Sequence, residues 1–445
     1  MKRGKRSAVC FSLCCLLLCA VLSLGMLAFG PAGAGANERL AQKPKLSNKG
    51  KPNWACLSQL ADWIGDHFWL RQELITARNG LAGLTGSSPV EDVILGREGW
   101  LYYAPTLGDY TGAAALSDGD LASAAANLGL MAEYCRDRGL TFLFVPVPNK
   151  NTLYPENMPG YTPGEERDLQ RLLALLPGEG VPFADLYPLF AAREETLYYA
   201  HDSHWTVKGA ALAADGINAA LGRESRYFAA DFSGEQRHDG DLYEMLYPAA
   251  RDPETGPIYG GTFRYTREGA DTRPDSITIN TEGEGTGGLL AYRDSFGNDL
   301  YPFLADSFAS ARFSRSTVYD LTAAEKLGAD TVLVELVERN LPYLLTYVPR
   351  MPAPRRALAG GEEIGGAVEL VRSKGDGPEG CVGYSGALDP AAGRAYLQCA
   401  GGCYEAFRRM DGGFSAWLPE GETPERVLYR LGGRLLSAPV GTITD

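Results

Sequence analysis

The sequence predicts an α/β fold: a doubly wound, mainly parallel sheet with helices on both faces, preceded by an N-terminal membrane helix and followed by a small β-rich C-terminal module. Three observations carry this. Thr141-Phe-Leu-Phe-Val-Pro-Val147 and Asp330-Thr-Val-Leu-Val-Glu335 contain the continuous apolar runs expected of strands buried on both faces. Leucines and alanines at helical spacing follow or precede such runs. Strand and helix alternate through the middle of the chain, as in layered α/β domains.

Taken from the N-terminus, Lys2, Arg3, Lys5 and Arg6 precede an uncharged apolar stretch from Ser7 to Gly30. Its length matches the ~20 residues that an α-helix needs to cross a hydrocarbon core. Basic flanks retained in the cytoplasm place everything after residue 36 outside. A cleavable signal peptide is the rival, because Ala34-Gly35-Ala36 offers a small-x-small cleavage site. The apolar stretch exceeds a usual signal core, which favours an uncleaved anchor over residues 1–36. Residues 37–89 form a polar stalk leading into a helix over 54–82.

Residues 90–350 hold the predicted α/β domain. Asp92-Val-Ile-Leu-Gly-Arg-Glu-Gly-Trp-Leu-Tyr-Tyr103 predicts two short strands around a turn. Ser117, with Asp118 and Asp120 behind it, caps a helix that ends at Gly139. After strand 141–147, leucine spacing predicts a helix over 165–176, and Val181–Leu186 is a further strand candidate. Val207 to Leu221 carries one apolar helix face, and Gly222 suits its stop. Gly288–Tyr292 is a strand, followed by a helix striped by Leu300, Phe303, Leu304 and Phe308, with Pro302 placed in its first turn. Residues 351–445 change texture: prolines and glycines separate short strands at 367–372, 414–418 and 427–431.

Chemistry concentrates in two tetrapeptides, Asp202-Ser-His-Trp205 and Asp294-Ser-Phe-Gly297. The chain has four histidines, His67, His201, His204 and His238. On an extended segment Asp202 and His204 project to one side, so the carboxylate can orient the imidazole. His204 would then deprotonate Ser295, which sits between a strand and a helix whose N-terminal N–H groups favour negative charge. Ser295 as a turn or cap residue, and Asp202 with His204 as a structural pair, are the alternatives. His201 points the other way, His238 has no obvious partner, and His67 packs near Trp63 and Trp69.

The net charge of −13 argues against a nucleic-acid binder. Cys381, Cys399 and Cys403 make one C-terminal disulfide a candidate. No histidine lies near these thiols and Cys-x3-Cys alone is a weak signal, so a zinc site is not expected there; no metal or cofactor is expected elsewhere.

Four segments together resemble the bacterial DHHW proteins and the related alginate-acetylation proteins of the AlgX/AlgJ type, a branch of the SGNH hydrolase-like fold. They are Gly96-Arg-Glu-Gly-Trp-Leu-Tyr102, Pro146-Val-Pro-Asn-Lys150 with Tyr154-Pro155, Asp202-Ser-His-Trp205 with Gly209-Ala210, and Asp294-Ser-Phe-Gly297. Glu338-Arg-Asn-Leu341 adds a fifth. The resemblance implies Ser295 as nucleophile, His204 as base and Asp202 as its orienter. It also implies O-acetylation of an extracellular polysaccharide, with a multipass membrane acyltransferase as acetyl donor. Asn149, Trp205 and Arg339 are candidates for oxyanion or substrate contacts by their place in these motifs. Two positions depart from the pattern: Ser203 stands where histidine is frequent, and Arg293 where glycine is common. The expectation is an extracytoplasmic, serine-dependent O-acetyltransferase. An acetyl esterase with the same residues, or a non-catalytic polysaccharide-binding protein of this fold, are the alternatives.

Overall fold

The computed structural model describes residues 2–34, 38–48, 50–84, 86, 88–232, 234–358 and 360–445. The cleavage site expected at Ala34–Ala36 lies largely outside them. Helix α1 (Lys2–Phe29) contains a 19-residue apolar stretch, Phe11–Phe29, long enough to cross a membrane. Trp69 packs on the end of this helix: its ring stacks on Phe29 at 4.7 Å, and its backbone N–H donates to the Leu22 carbonyl.

The single helix expected over 54–82 is two, α2 (Cys56–His67) and α3 (Arg71–Gly83). The break falls at Leu70, whose φ of 61° lies in the left-handed region that no right-handed helix passes through. Strands β1 (Val93–Leu95) and β2 (Leu101–Tyr103) then pair as an antiparallel hairpin across the Gly-Arg-Glu-Gly turn. Helix α4 (Asp118–Arg136) starts where its cap predicts, with Ser117 Oγ accepting from the Asp120 N–H at 3.0 Å. It leads into β3 (Thr141–Val147). Helix α5 (Asp168–Leu175) comes next, but Val181–Leu186 forms no strand. Only Phe183 bridges to Phe144, covering the free edge of β3.

Helix α6 (Val207–Ala220) is capped by Thr206 and followed by Gly222 at φ 69°. An excursion holds the two-stranded hairpin β4 (Glu235–His238) and β5 (Glu254–Pro257). Strands β6 (Tyr265–Arg267), β7 (Thr278–Gly283) and β8 (Gly288–Tyr292) come after it. Helix α7 (Gly297–Ser307) begins directly after the Asp-Ser-Phe segment, which puts Pro302 in its interior rather than its first turn. Strands β9 (Ser310–Ser314) and β10 (Thr331–Val337) complete a six-stranded sheet in the order β3-β10-β8-β9-β7-β6. The first four strands are parallel, β7 runs antiparallel to them, and β6 pairs antiparallel with β7 at the edge.

Both faces of this sheet are covered, as the apolar runs require. On one face Leu121, Leu128 and Met131 of α4 pack with Leu172 of α5 against Phe142, Phe144 and Val332. On the other, Ala210, Ala214 and Ile217 of α6 and Leu300, Phe303 and Leu304 of α7 meet Leu143, Leu289 and Leu333.

The C-terminal segment is a closed barrel of seven strands. They are β11 (Val368–Ser373), β12 (Cys381–Ala387), β13 (Ala395–Cys399), β14 (Gly402–Arg408), β15 (Gly413–Pro419), β16 (Pro424–Leu431) and β17 (Arg434–Thr444). Pairing of β14 with β15 closes the ring β14-β13-β16-β17-β11-β12-β15, so the barrel itself leaves no strand edge open. The expected disulfide is absent: Cys381, Cys399 and Cys403 are free thiols. Register explains this for the nearest pair. Cys403 lies opposite Gln398, so it faces away from Cys399, and the two thiols belong to different apolar clusters. The barrel is fixed to α4 by the buried Asn127, whose amide donates to the Leu344 and Arg408 carbonyls and accepts the Arg408 N–H. Ion pairs Arg356–Glu133 and Arg394–Glu179 flank it.

Candidate active site

The parallel strands β3, β10 and β8 end side by side, and their carboxyl ends carry the segments that build the site, as in open α/β sheets generally. From β8 the chain turns through Arg293 and Asp294 to Ser295 and at once enters α7. Asp294 holds this turn. Its Oδ1 accepts the Phe296 N–H at 2.9 Å, and its Oδ2 accepts the Val337 N–H and the Asn340 amide at 2.9 and 3.0 Å. Glu335, buried in β10, accepts the Asp294 N–H at 3.0 Å. Burial, with the Asp294 charge beside it, raises the Glu335 pKa well above the ordinary carboxyl value.

The acid and imidazole come from a loop closed on itself. Tyr199 N–H donates to the His204 carbonyl and Thr206 N–H to the Leu197 carbonyl, so residues 197–206 form a narrow turn. Asp202 sits at its tip and is 4% exposed. Its Oδ1 accepts both the His204 N–H at 2.8 Å and His204 Nδ1 at 2.7 Å. On its far side His204 Nε2 lies 2.7 Å from Ser295 Oγ. Because Nδ1 faces a carboxylate, it carries the proton, and Nε2 is left to accept from the serine hydroxyl.

The electrostatics follow from these contacts. Burial pulls the His204 pKa down, but Asp202 through its charge and hydrogen bond, together with Asp241, outweighs burial and raises it. Asp202 is driven well below the ordinary carboxylate range despite its burial, because His204 and His238 both face it. Asp241 itself is raised, first by burial and then by the Asp202 charge.

Lys150 supports the same loop from beneath. Its buried ammonium donates to the carbonyls of Leu101, Ala200 and Asp202 at 2.6, 2.7 and 2.9 Å and lies over the Trp100 ring. Burial lowers its pKa to about 7. The segments around Trp100, Lys150 and Asp202, distant in sequence, therefore converge on one cation.

Ser295 and His204 open onto a cleft of about 650 Å³, bordered by Tyr103, Tyr343, Asn298 and Arg339. The His204 side chain is 21% exposed and borders this cleft. Arg339 reaches the site: its guanidinium lies over the rings of Tyr103 and Phe296 at 5.4 and 5.3 Å. Trp205 does not. It is 0% exposed and packs against Phe190 and Phe296, because successive residues on an extended segment face opposite ways. Asn149 is 1% exposed and does not border the cleft. Its N–H donates to Glu338, and its amide has no hydrogen-bond partner among the described residues.

Two residues escape a reading of the sequence. Asn298, three residues beyond Ser295 and bordering the cleft, accepts from the Arg293 guanidinium through its amide oxygen at 2.6 Å, so its amide nitrogen is the donor that remains. The cue is present, since Asn298 is a polar residue in the first turn of the helix that directly follows Ser295. His238, for which the sequence suggests no partner, places Nε2 3.0 Å from Asp202 Oδ2. Nothing in the local sequence signals that contact. Arg293, the departure from the family pattern beside Asp294, is 5% exposed and turns to the carbonyls of Pro274 and Ser276. His201 faces away, with Nδ1 3.2 Å from the Asp252 carbonyl, and His67 stacks on Trp63.

Asp202, His204 and Asp241 are close enough together to hold a cation. The atoms that would bind it are already engaged: Nδ1 with Asp202 Oδ1, and Asp241 Oδ2 with the Ser203 hydroxyl at 2.7 Å. A metal there would have to break the acid–imidazole bond, so the residues fit hydrogen bonding better than metal ligation.

Residues 93–275 match the family described as an SGNH hydrolase-like domain, acetyltransferase AlgX, which bears out the resemblance carried by the motifs. The matched span includes Lys150, Asp202 and His204 and ends before Ser295. Among solved structures, a DHHW family protein from Eubacterium siraeum is 20% identical with a TM-score of 0.42, over 55% of this chain and 89% of that one. The O-acetyltransferase domain of Pseudomonas putida AlgJ is 17% identical with a TM-score of 0.41, over 56% and 92%. PatB1 of Bacillus cereus is 15% identical with a TM-score of 0.43, over 56% and 96%. Comparison with curated proteins gives no match.

Proposed function

We propose that this chain, SGNH hydrolase-like by its family match, is a serine-dependent O-acetyltransferase that acts on a cell-envelope or exported polysaccharide. The observation that carries the proposal is the unbroken hydrogen-bond chain from Asp202 Oδ1 through His204 to Ser295 Oγ, opening onto a cleft. In this mechanism His204 Nε2 takes the Ser295 proton while Oγ bonds to the acetyl carbonyl carbon. Asp202 stabilises the imidazolium that forms. Collapse of the tetrahedral intermediate expels the donor's alcohol, which leaves with the proton from His204. The acyl-serine is then attacked by a sugar hydroxyl, whose proton passes to His204 and finally to the departing Ser295 oxygen.

The negative charge that develops on the carbonyl oxygen needs a donor, and Asn298 supplies an amide N–H beside Ser295. Arg339 and the rings of Tyr103 and Tyr343 border the same space and suit a sugar ring with polar edges. Helix α1 would hold the body outside the membrane, within reach of a multipass membrane acyltransferase that delivers acetyl groups.

The test uses the full chain with a chromogenic acetyl ester, with and without an oligosaccharide acceptor. Acetylated oligosaccharide that disappears in Ser295→Ala supports transfer. Turnover to acetate alone, unaffected by acceptor, makes the chain an esterase. Sugar binding without turnover, unchanged in Ser295→Ala, makes it a binding protein.

A further inference from the structure

Asp202 is shared by two imidazoles. His204 occupies Oδ1, while His238 Nε2 and the Asp241 N–H take Oδ2 at 3.0 and 2.9 Å. His238 reaches Asp202 from the β4–β5 hairpin, and that hairpin grips the acid loop at several further points. Glu254 on β5 accepts the N–H groups of Ala200 and His201 at 2.7 and 2.6 Å. Asp241 accepts the N–H and hydroxyl of Ser203. The His238 ring lies flat on Tyr199, 3.9 Å between centroids and 7° between planes.

The approach is close enough to require glycine twice. A Cβ on Gly240 would meet the His201 carbonyl oxygen at 2.3 Å, and one on Gly256 would meet the Tyr199 hydroxyl at 2.3 Å. At Gly240 the neighbour is backbone, as where two chain segments must pass at short range, and at Gly256 it is the Tyr199 ring that stacks on His238. The excursion between α6 and β6 is therefore shaped around residues 199–204, and a carboxylate with both oxygens engaged cannot rotate away from His204.

We propose that His238 is a positioning residue of the active site: by holding Asp202 Oδ2 it fixes Oδ1 on His204 and keeps Nε2 aimed at Ser295. The proposal rests on the serine mechanism above. In its neutral form His238 donates through Nε2 and leaves the full charge of Asp202 for His204. Protonated, it would draw on that charge and lower the basicity of His204. The groups that face His238 are Asp202 on the acid loop, Glu254 on β5, Asp299 on α7 and the Tyr199 ring; burial pulls its pKa down, and the acidic neighbours on three elements outweigh burial and raise it.

The experiment measures acetyl-ester turnover across pH for the wild-type chain, His238→Ala, His238→Gln and Ser295→Ala. His238→Ala should lower kcat roughly tenfold to a hundredfold with little change in KM, the size expected when a supporting group lets a catalytic one shift. His238→Gln, which keeps an uncharged N–H donor, should recover most of that loss. Its acid limb should move to higher pH, because no cation competes for Asp202. Equal turnover in wild type and His238→Ala, or a His238→Gln variant as impaired as His238→Ala with an unmoved acid limb, overturns the proposal. Turnover that survives Ser295→Ala would instead overturn the serine mechanism, so the two failures are separable.

Discussion

Ser295 Oγ and His204 Nε2 stand 2.7 Å apart although 91 residues separate them in the chain. Each is held by its own framework: Ser295 by the Asp294 turn between β8 and α7, His204 by the closed loop 197–206 over Lys150. Neither partner needs to move for the proton to pass.

Replacement of either residue should therefore abolish turnover rather than weaken binding. Ser295→Ala and His204→Ala are each expected to lower kcat by about four orders of magnitude or more, and the double variant should be little worse than either. Steady-state kinetics on the three proteins check this, with circular dichroism to show that the fold is retained.

On the proposed mechanism, acid should abolish ester turnover through His204. The neutral imidazole is the base, and Asp202 and Asp241 together raise its pKa above the ordinary 6.5 against the pull of burial. Activity is then present above the raised value and falls as pH drops through it, so the acid limb of kcat/KM lies above 6.5. Asp202→Asn removes the main raising charge, and the limb should shift to lower pH while kcat falls. A pH–rate profile of both proteins decides it.

Lys150 should matter for stability as well as for the loop. Lys150→Ala leaves the carbonyls of Leu101, Ala200 and Asp202 buried without their shared donor. A loss of roughly 3 kcal/mol or more in urea unfolding is expected. Turnover should fall with it, because Asp202 loses its backbone anchor.

Asn127 should tie the barrel to the α/β layer. Asn127→Ala removes three buried hydrogen bonds between α4, residues 341–346 and β14. Destabilisation of about 2 kcal/mol or more is expected, with ester turnover at permissive temperature unchanged. Urea melts and a single-temperature assay measure the two effects.

Much of this is legible in the chain because the signals are local. Thr141–Val147 and Gly288–Tyr292 are strands with the bounds their apolar runs predict, and Ser117 caps the helix it precedes. The proximity of Asp202 and His204 follows from a two-residue spacing. The features that sequence does not reveal depend on non-local geometry. Closure of the barrel rests on β12 pairing with β15 and on β11 running parallel to β17, contacts that no local pattern announces. His238 lies 36 residues from Asp202 and reaches it only because β4 folds back. Trp205 departs from expectation because adjacency to His204 in sequence puts it on the opposite side of the segment. Pro302 departs from it because α7 starts at Gly297, directly after the nucleophile turn, rather than at the first apolar stripe.

The central claim is an acyl group carried on Ser295, and the direct measurement is intact mass followed by peptide mapping after brief exposure of the full chain to an activated acetyl ester. The account predicts a gain of one acetyl group, mapped to the peptide containing Ser295, lost on addition of a sugar acceptor and absent in Ser295→Ala. An acetyl group on another residue, or ester turnover by Ser295→Ala at the wild-type rate, would contradict it.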